Sequence, residues 1–356
     1  MTSELIQQYK SILAEEPRTR AVDAAMQLGV SEAELLAAQQ HHSITAAVTR
    51  LDENKIAEIL KQFKKLGKVM ALTRNGSVVN EIKGVYEKLY ISDNNGKLSG
   101  IAINPGGIDL RLFLYRWHSV FLVESDAHSS VQFFDKHGRA VHKVFTTADS
   151  DFNELVNLKA RFQLDSPAPL QIAAVPAKEV SLVSPSAEQL EEFRAGWAEL
   201  ADVHHFPKLL EKHQLERLQA LELVGSPWAF ELENVDLETI LSAAKAEQQE
   251  IMAFVGNDGA VQIFSGKVDN LKQVGPWYNV LDPDFNLHVK TAELSRAFVV
   301  RKPTDNGDTV VTSIEFFDAN RDTVLTLFGR RTEGKKQTPE WQALCDKLSN
   351  KAQAAA

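Results

Sequence analysis

The apolar positions of this chain change period along its length, and the same change occurs twice. From Ser3 to about His42, and again through LDENKIAEILKQFKKLG from Leu51, apolar residues return at three- and four-residue spacing, which predicts helices. The stretch from Ser186 to Leu223 and DLETILSAAKAEQQ from Asp236 read the same way. After each helical stretch the pattern alternates or becomes a continuous apolar run. KVMALTR, EIMAFVG, AVQIFSGKV, RLFLYRWHSVFLV and VVTSIEFFD predict strands, with NNG, PGG, KHG and NDG as the turns between them. Helices that precede clustered strands, instead of alternating with them, predict an α+β fold with helices packed on a largely antiparallel sheet.

Three blocks recur in the same order. KVMALTRNGSVV from Lys68 matches EIMAFVGNDGAVQIF from Glu250, pairing Met70 with Met252 and Asn75 with Asn257. IDLRLFLYRWHSVFLV from Ile108 echoes PDFNLHVKTAELSRAFVV from Pro283, and VQFFDKHGRAVHKVFT from Val131 echoes SIEFFDANRDTVLTLFG from Ser313. This order is the signature of an internal duplication. It predicts an N-terminal repeat over 1–163, a linker over 164–186 and a C-terminal repeat over 187–356. The linker carries four of the chain's 12 prolines. Two similar halves are expected to leave a ligand cleft between them, since pockets favour domain interfaces.

Composition narrows the classes of function. A length of 356 residues with 44% hydrophobic residues supports two globular cores. The N-terminus shows no secretory pattern and no segment reads as a membrane span, so a cytoplasmic protein without membrane insertion is expected. Cys345 is the only cysteine, which leaves no internal disulfide and no thiolate cluster. The net charge of -9 argues against a protein built to grip nucleic acid, although a local basic pocket for a small anion remains compatible with it. One pattern points the other way. Ala21 to Ala38 has the helix, glycine turn and second helix of a helix-turn-helix, but its second helix, SEAELLAA, is acidic and apolar and would meet phosphate badly.

His204, His205 and His213 lie in one helical segment, and neighbouring positions on a helix point about 100° apart. Only one of the adjacent pair can therefore face a given ligand. Pro207 places both near a helix end. Arg111 sits inside a strand pattern between Leu110 and Leu112, sharing a face with Asp109 and Phe113; the equivalent position in the second copy is Asn286. Arg217, Arg301, Lys302, Arg330 and Arg331 could supply a basic rim for carboxylates.

The strings LGVSEAEL, NPGGIDLRLFL with its tryptophan, QFFDKHG, DVHHF, HQLERLQA, GPWYNV, RKPT and FGRRTEG, in this order, resemble the HemS/ChuS-type haem-utilisation family, also labelled hemin transport or hemin-degrading factors. The resemblance spans nearly the whole chain. It implies a cytoplasmic protein of bacterial haem uptake and iron acquisition that binds one haem b (iron protoporphyrin IX) in a cleft between the halves. By the same resemblance, His204 is the proximal iron ligand, Arg111 lies on the distal face with Phe113 nearby, and Arg217, Lys302 and Arg331 meet the propionates. His205 is an alternate ligand. Phe328 stands where the family often has tyrosine, and Asn80 where some members carry histidine. Three readings of function follow: a haem carrier that hands its cargo to a haem oxygenase or receives it from an inner-membrane transporter, an oxidative haem-degrading enzyme in which Arg111 serves the distal side, and a DNA-binding regulator.

Overall fold

The computed structural model describes every residue except Met1, His41, Ser43, Asn234, Val235, 332–335 and Ala356, with the backbone alone described at Thr2 and 351–355. The end of the FGRRTEG segment therefore lies outside the described residues. Two compact units emerge. The first comprises Met1–Arg74, Asn80–Pro176 and Gly256–Gln262; the second comprises Asn75–Val79, Ala177–Val255 and Ile263–Ala356. No helix or strand forms between Phe162 and Ala187.

The two sequence copies repeat one plan. In the first, strands run in the order Ala47–Leu51, Trp117–Glu124, Ser129–Asp135, Ala140–Ser150, Gly67–Arg74 and Val78–Gly84. In the second the matching order is Ala229–Glu231, Arg296–Thr304, Thr309–Phe317, Thr323–Gly329, Ile251–Gly256 and Ala260–Gly266. Each plan adds a three-strand meander: Leu89–Asn94, Lys97–Ala102 and Asp109–Leu112 in one repeat, Leu271–Val274, Trp277–Leu281 and Phe285–Lys290 in the other. The expected α+β duplication is present down to its irregularities. A register shift falls between Phe133 and Phe134, and another between Phe316 and Phe317. Asp135 Oδ1 then accepts from the backbone N–H of His137 and Arg139, and Asp318 Oδ1 from those of Asn320 and Asp322. The turn needs a left-handed residue, supplied by Gly138 at φ +73° in one copy and by Arg321 at φ +66° in the other.

Asn75 and Asn257 are equivalent in the same sense. Each side-chain oxygen caps its own turn, accepting from Ser77 and Val78 in one case and from Gly259 and Ala260 in the other. In the second unit Asn75 Nδ2 donates to the Val324 carbonyl (2.8 Å), and in the first Asn257 Nδ2 donates to that of Val141 (3.0 Å). The sequence match of these asparagines therefore reflects one repeated hydrogen-bonding role.

One expectation changes, and one pattern resolves as its acidic second helix indicated. RLFLYRWHSVFLV is not one strand: a 3-10 turn at Leu114–Arg116 separates Asp109–Leu112 from Trp117–Glu124, and the Phe113 N–H donates to the Gly259 carbonyl at 2.9 Å. The helix-turn-helix pattern is a packing device. Ser31 and Glu34 form a capping box on the helix Glu32–Gln39. Ala33 and Leu36 of that helix pack with Val48, Phe121 and Phe134, while Leu35 packs with Tyr9, Ala24 and Ala25. Glu32 is itself buried, paired with Lys143 and with Arg74 (2.6 Å). A helix covered on both sides has no face to offer a DNA groove.

The first unit also holds a buried polar chain that copy two lacks. Gln262 Nε2 donates to the Ala71 carbonyl and to Asn80 Oδ1 (both 3.0 Å), so Gln262 Oε1 accepts from Thr73 Oγ1 (3.1 Å). Thr73 in turn accepts from His142 Nδ1 (2.9 Å), and His142 Nε2 accepts from the Tyr86 hydroxyl (2.5 Å). Asn80, where some relatives are expected to carry histidine, is thus fully buried in this chain of bonds. Burial pushes the His142 imidazole from the ordinary 6.5 down to about 3. The unfolded chain therefore binds a proton that the native one refuses between those values, and stability falls as pH drops through that window, by about 1.4 kcal/mol per pH unit. Copy two has Leu325 at this position. His142→Leu is expected to lower stability at pH 7 by about 1–3 kcal/mol, because the Tyr86 hydroxyl loses its acceptor. The same substitution should flatten the dependence on pH from 6.5 down to 3, and thermal melts of both proteins across that range check it.

Candidate functional site

The second unit builds a site from one turn, two helices and two strands. Asp202 caps the 3-10 turn Val203–His205, its Oδ1 accepting from the His204 N–H at 2.8 Å and from His204 Nδ1 at 2.6 Å. The backbone N–H of His204, foremost, holds the Asp202 carboxyl below the usual carboxylate range. With Nδ1–H committed to Asp202, the His204 Nε2 lone pair points away from the carboxylate, on a side chain that is 87% exposed. A carboxylate behind an imidazole is the arrangement that orients histidine toward a metal. Helix Phe206–His213 follows at once, with Pro207 in its first turn, so His204 and His205 lie at a helix start as the proline predicted. His205 is also exposed. His213 stands apart, its ring edge against Phe193.

Phe206, two residues beyond His204, links this turn to a charged cluster. Its buried ring meets Trp197 edge-on at 4.9 Å and carries two cations: the Lys302 ammonium 4.6 Å from the ring centroid and the Arg217 guanidinium 5.2 Å from it. Both cations converge on Glu315, which is fully buried in the strand Thr309–Phe317. Arg217 grips it with Nε (2.8 Å) and Nη2 (2.9 Å), and Lys302 Nζ donates to Oε1 (2.8 Å). Burial alone would raise the Glu315 carboxyl, but Arg217 and Lys302 outweigh it and hold the group well below the carboxylate range. Burial also brings the Lys302 amine down to about 8. The three charges leave one net positive. Their repeat counterparts differ: Arg217 opens its helix where Glu32 opens the equivalent one, and Glu315 precedes the Phe-Phe-Asp turn where Gln132 does in copy one.

The expected site residues are thus distributed as follows. Arg217 and Lys302 come together on Phe206, two residues beyond His204, but Lys302 is not on a rim. It is 7% exposed and turned inward, because alternation along Arg296–Thr304 sends Arg301 outward to Asp346 (2.7 Å) and Lys302 to Glu315. Arg331 is half-buried just past the strand Thr323–Gly329, and Arg330 pairs with Glu250 (2.7 Å). Phe328 stacks edge-on against Phe254. Arg111 and Phe113 belong to the first unit. The Arg111 guanidinium is partly exposed and anchored by Asp109 Oδ1 at 2.5 Å. Asp109, Asp202 and Glu315, which pair with Arg111, His204 and Arg217, are not among the site residues expected from the sequence. An acid two residues before a histidine at a helix start is a capping signal that finds Asp202, and a glutamate inside the apolar run SIEFF signals a buried ion pair.

A duplicated α+β chain whose second copy carries an exposed, carboxylate-backed imidazole and an Arg217–Glu315–Lys302 cluster belongs to a class of two-repeat proteins with candidate groups for a metal and for an anion. Comparison with known proteins agrees. The chain belongs to the haemin-degrading HemS.ChuX domain family, whose model matches it twice, over residues 29–162 and 214–348. The hemin transport protein HemS of Yersinia enterocolitica is 36% identical to it, with both chains covered in full. Among solved structures, PhuS, a heme-binding protein from Pseudomonas aeruginosa, superposes with a TM-score of 0.90 at 39% identity, over 98% of this chain and 99% of that one. ChuS of Escherichia coli O157:H7, described as a heme degrading enzyme, superposes with a TM-score of 0.88 at 32% identity, over 98% and 99% of the two chains.

Proposed function

We propose that this protein binds one haem b per chain in the cytoplasm and carries it during haem uptake. The observation that carries this reading is the His204 imidazole, backed by Asp202 and joined through Phe206 to Arg217. These residues fit the group. Nε2 of His204 suits the iron, the outer edge of Arg217 suits a propionate, and Arg331 is a second cation for the carboxylates. Arg111, fixed by Asp109, and the nearby Phe113 are the first unit's candidate ligand-contacting residues. A haem oxygenase and an inner-membrane haem transporter are the partners to which such cargo passes or from which it comes.

A second reading, oxidative haem degradation with release of iron, is favoured by the description of ChuS as a heme oxygenase. Ascorbate added to the hemin-loaded protein, with catalase present to remove stray peroxide, separates the two. A carrier keeps its Soret band. Bleaching to a biliverdin-like product with iron release would replace the carrier reading by the enzymatic one. Arg111→Ala is expected to change the spectrum of the loaded protein more than its affinity; identical spectra and reactivity would remove Arg111 from the site.

A further inference from the structure

We infer that Glu315 is the positioning residue that aims Arg217 at a carboxylate of the ligand, with Lys302 bracing Glu315 from within the core. The inference rests on the haem reading above and adds to it a role for an acid in a site built for an anion.

An acid in such a place has two opposite explanations. Glu315 could compete with the ligand's carboxylates for the same cations, or it could hold a cation in the pose the ligand needs. Geometry decides for the second. The Glu315 side chain has no exposure, and its carboxylate accepts four hydrogen bonds: Oε2 accepts from Arg217 Nε, while Oε1 accepts from Arg217 Nη2, Lys302 Nζ and Ser313 Oγ (3.2 Å). A group so bonded has nowhere to withdraw. Arg217, by contrast, has a side chain 36% exposed, and a guanidinium held by its Nε–Nη2 edge turns Nη1 to the opposite side. Glu315 thus fixes one edge of the fork and presents the other. Lys302 has a side chain 9% exposed and lies on Phe206, so its charge steadies Glu315 from within the core. The same Phe206 ring carries Arg217 and begins the helix that follows His204, which places the aimed guanidinium and the imidazole on one support.

The first copy shows the arrangement is not a by-product of the fold. The positions of Arg217 and Glu315 hold Glu32 and Gln132 there, and Glu32 is paired with Arg74 and Lys143. The guanidinium-presenting version occurs in the copy that carries His204.

The test compares hemin with hemin dimethyl ester, whose propionates are blocked while its iron is unchanged. Competition predicts that Glu315→Gln tightens hemin, since the local charge rises. Positioning predicts the reverse: hemin binding weakens about tenfold, the scale of one charge-assisted hydrogen bond, while ester binding is unchanged. Arg217→Lys keeps the charge but loses the fork and should show the same selective loss; it stands in should Glu315→Gln fail to fold. A tighter hemin complex in Glu315→Gln, or an unchanged hemin-to-ester ratio in either folded variant, overturns the inference. Binding of neither porphyrin by the wild-type protein overturns the haem reading itself.

Discussion

His204→Ala is expected to abolish the spectrum of a histidine-ligated haem and to weaken hemin binding on the order of 100-fold, about 2.8 kcal/mol. The expectation follows from the committed tautomer. Asp202 takes the Nδ1 proton, so Nε2 is the ring atom left for iron. Stability should barely move, because the side chain is solvent-exposed and surface substitutions usually stay within about 0.5 kcal/mol. That separation makes the experiment clean. Asp202→Asn should give a smaller loss, about tenfold, by weakening the group that orients the ring. His205→Ala alone should change little. An unchanged Soret band in the His204→Ala, His205→Ala double variant would remove this turn from the site.

The second large effect is structural. Glu315→Ala is expected to cost about 3–5 kcal/mol, the range for breaking a buried ion pair and leaving its partner charged. Two cations depend on this carboxylate, and the inward Lys302, with a side chain 9% exposed, has little water at hand to replace it. For a domain of this size the loss corresponds to a fall in melting temperature of roughly 10 °C. Lys302→Met with Glu315→Leu, which removes the buried lysine and the acid together, should recover much of that loss. Thermal melts of the single and double variants check it. A Glu315→Ala protein that melts with the wild type would mean that the carboxylate is not the anchor of this cluster.

Much of the architecture is legible in the amino-acid sequence, and the reasons are physical. Repeated turn chemistry is visible in letters, so Asn75 and Asn257, or the two Phe-Phe-Asp turns, announce equivalent backbone roles. The proline at 207 marks a helix start and so locates His204. The points that spacing leaves open share a cause: period alone does not say what covers an element. The acidic second helix of the helix-turn-helix pattern and a packing helix have the same spacing, and only Phe121, Phe134 and Tyr9 lying against it tell them apart. A continuous apolar run hides the break at Leu114–Arg116, which is set by a hydrogen bond to Gly259 far along the chain. Lys302 reads as rim because cations default to solvent; its inward turn is visible only through Glu315, thirteen residues away on the neighbouring strand.

The central claim is one haem per duplicated chain, held by the copy that has His204 and Arg217. A hemin titration of the ligand-free protein, followed at the Soret band, measures this most directly. A saturable band with its break at one equivalent is expected, and His204→Ala should lose it. A break at two equivalents, or a band that grows without saturating, would contradict it.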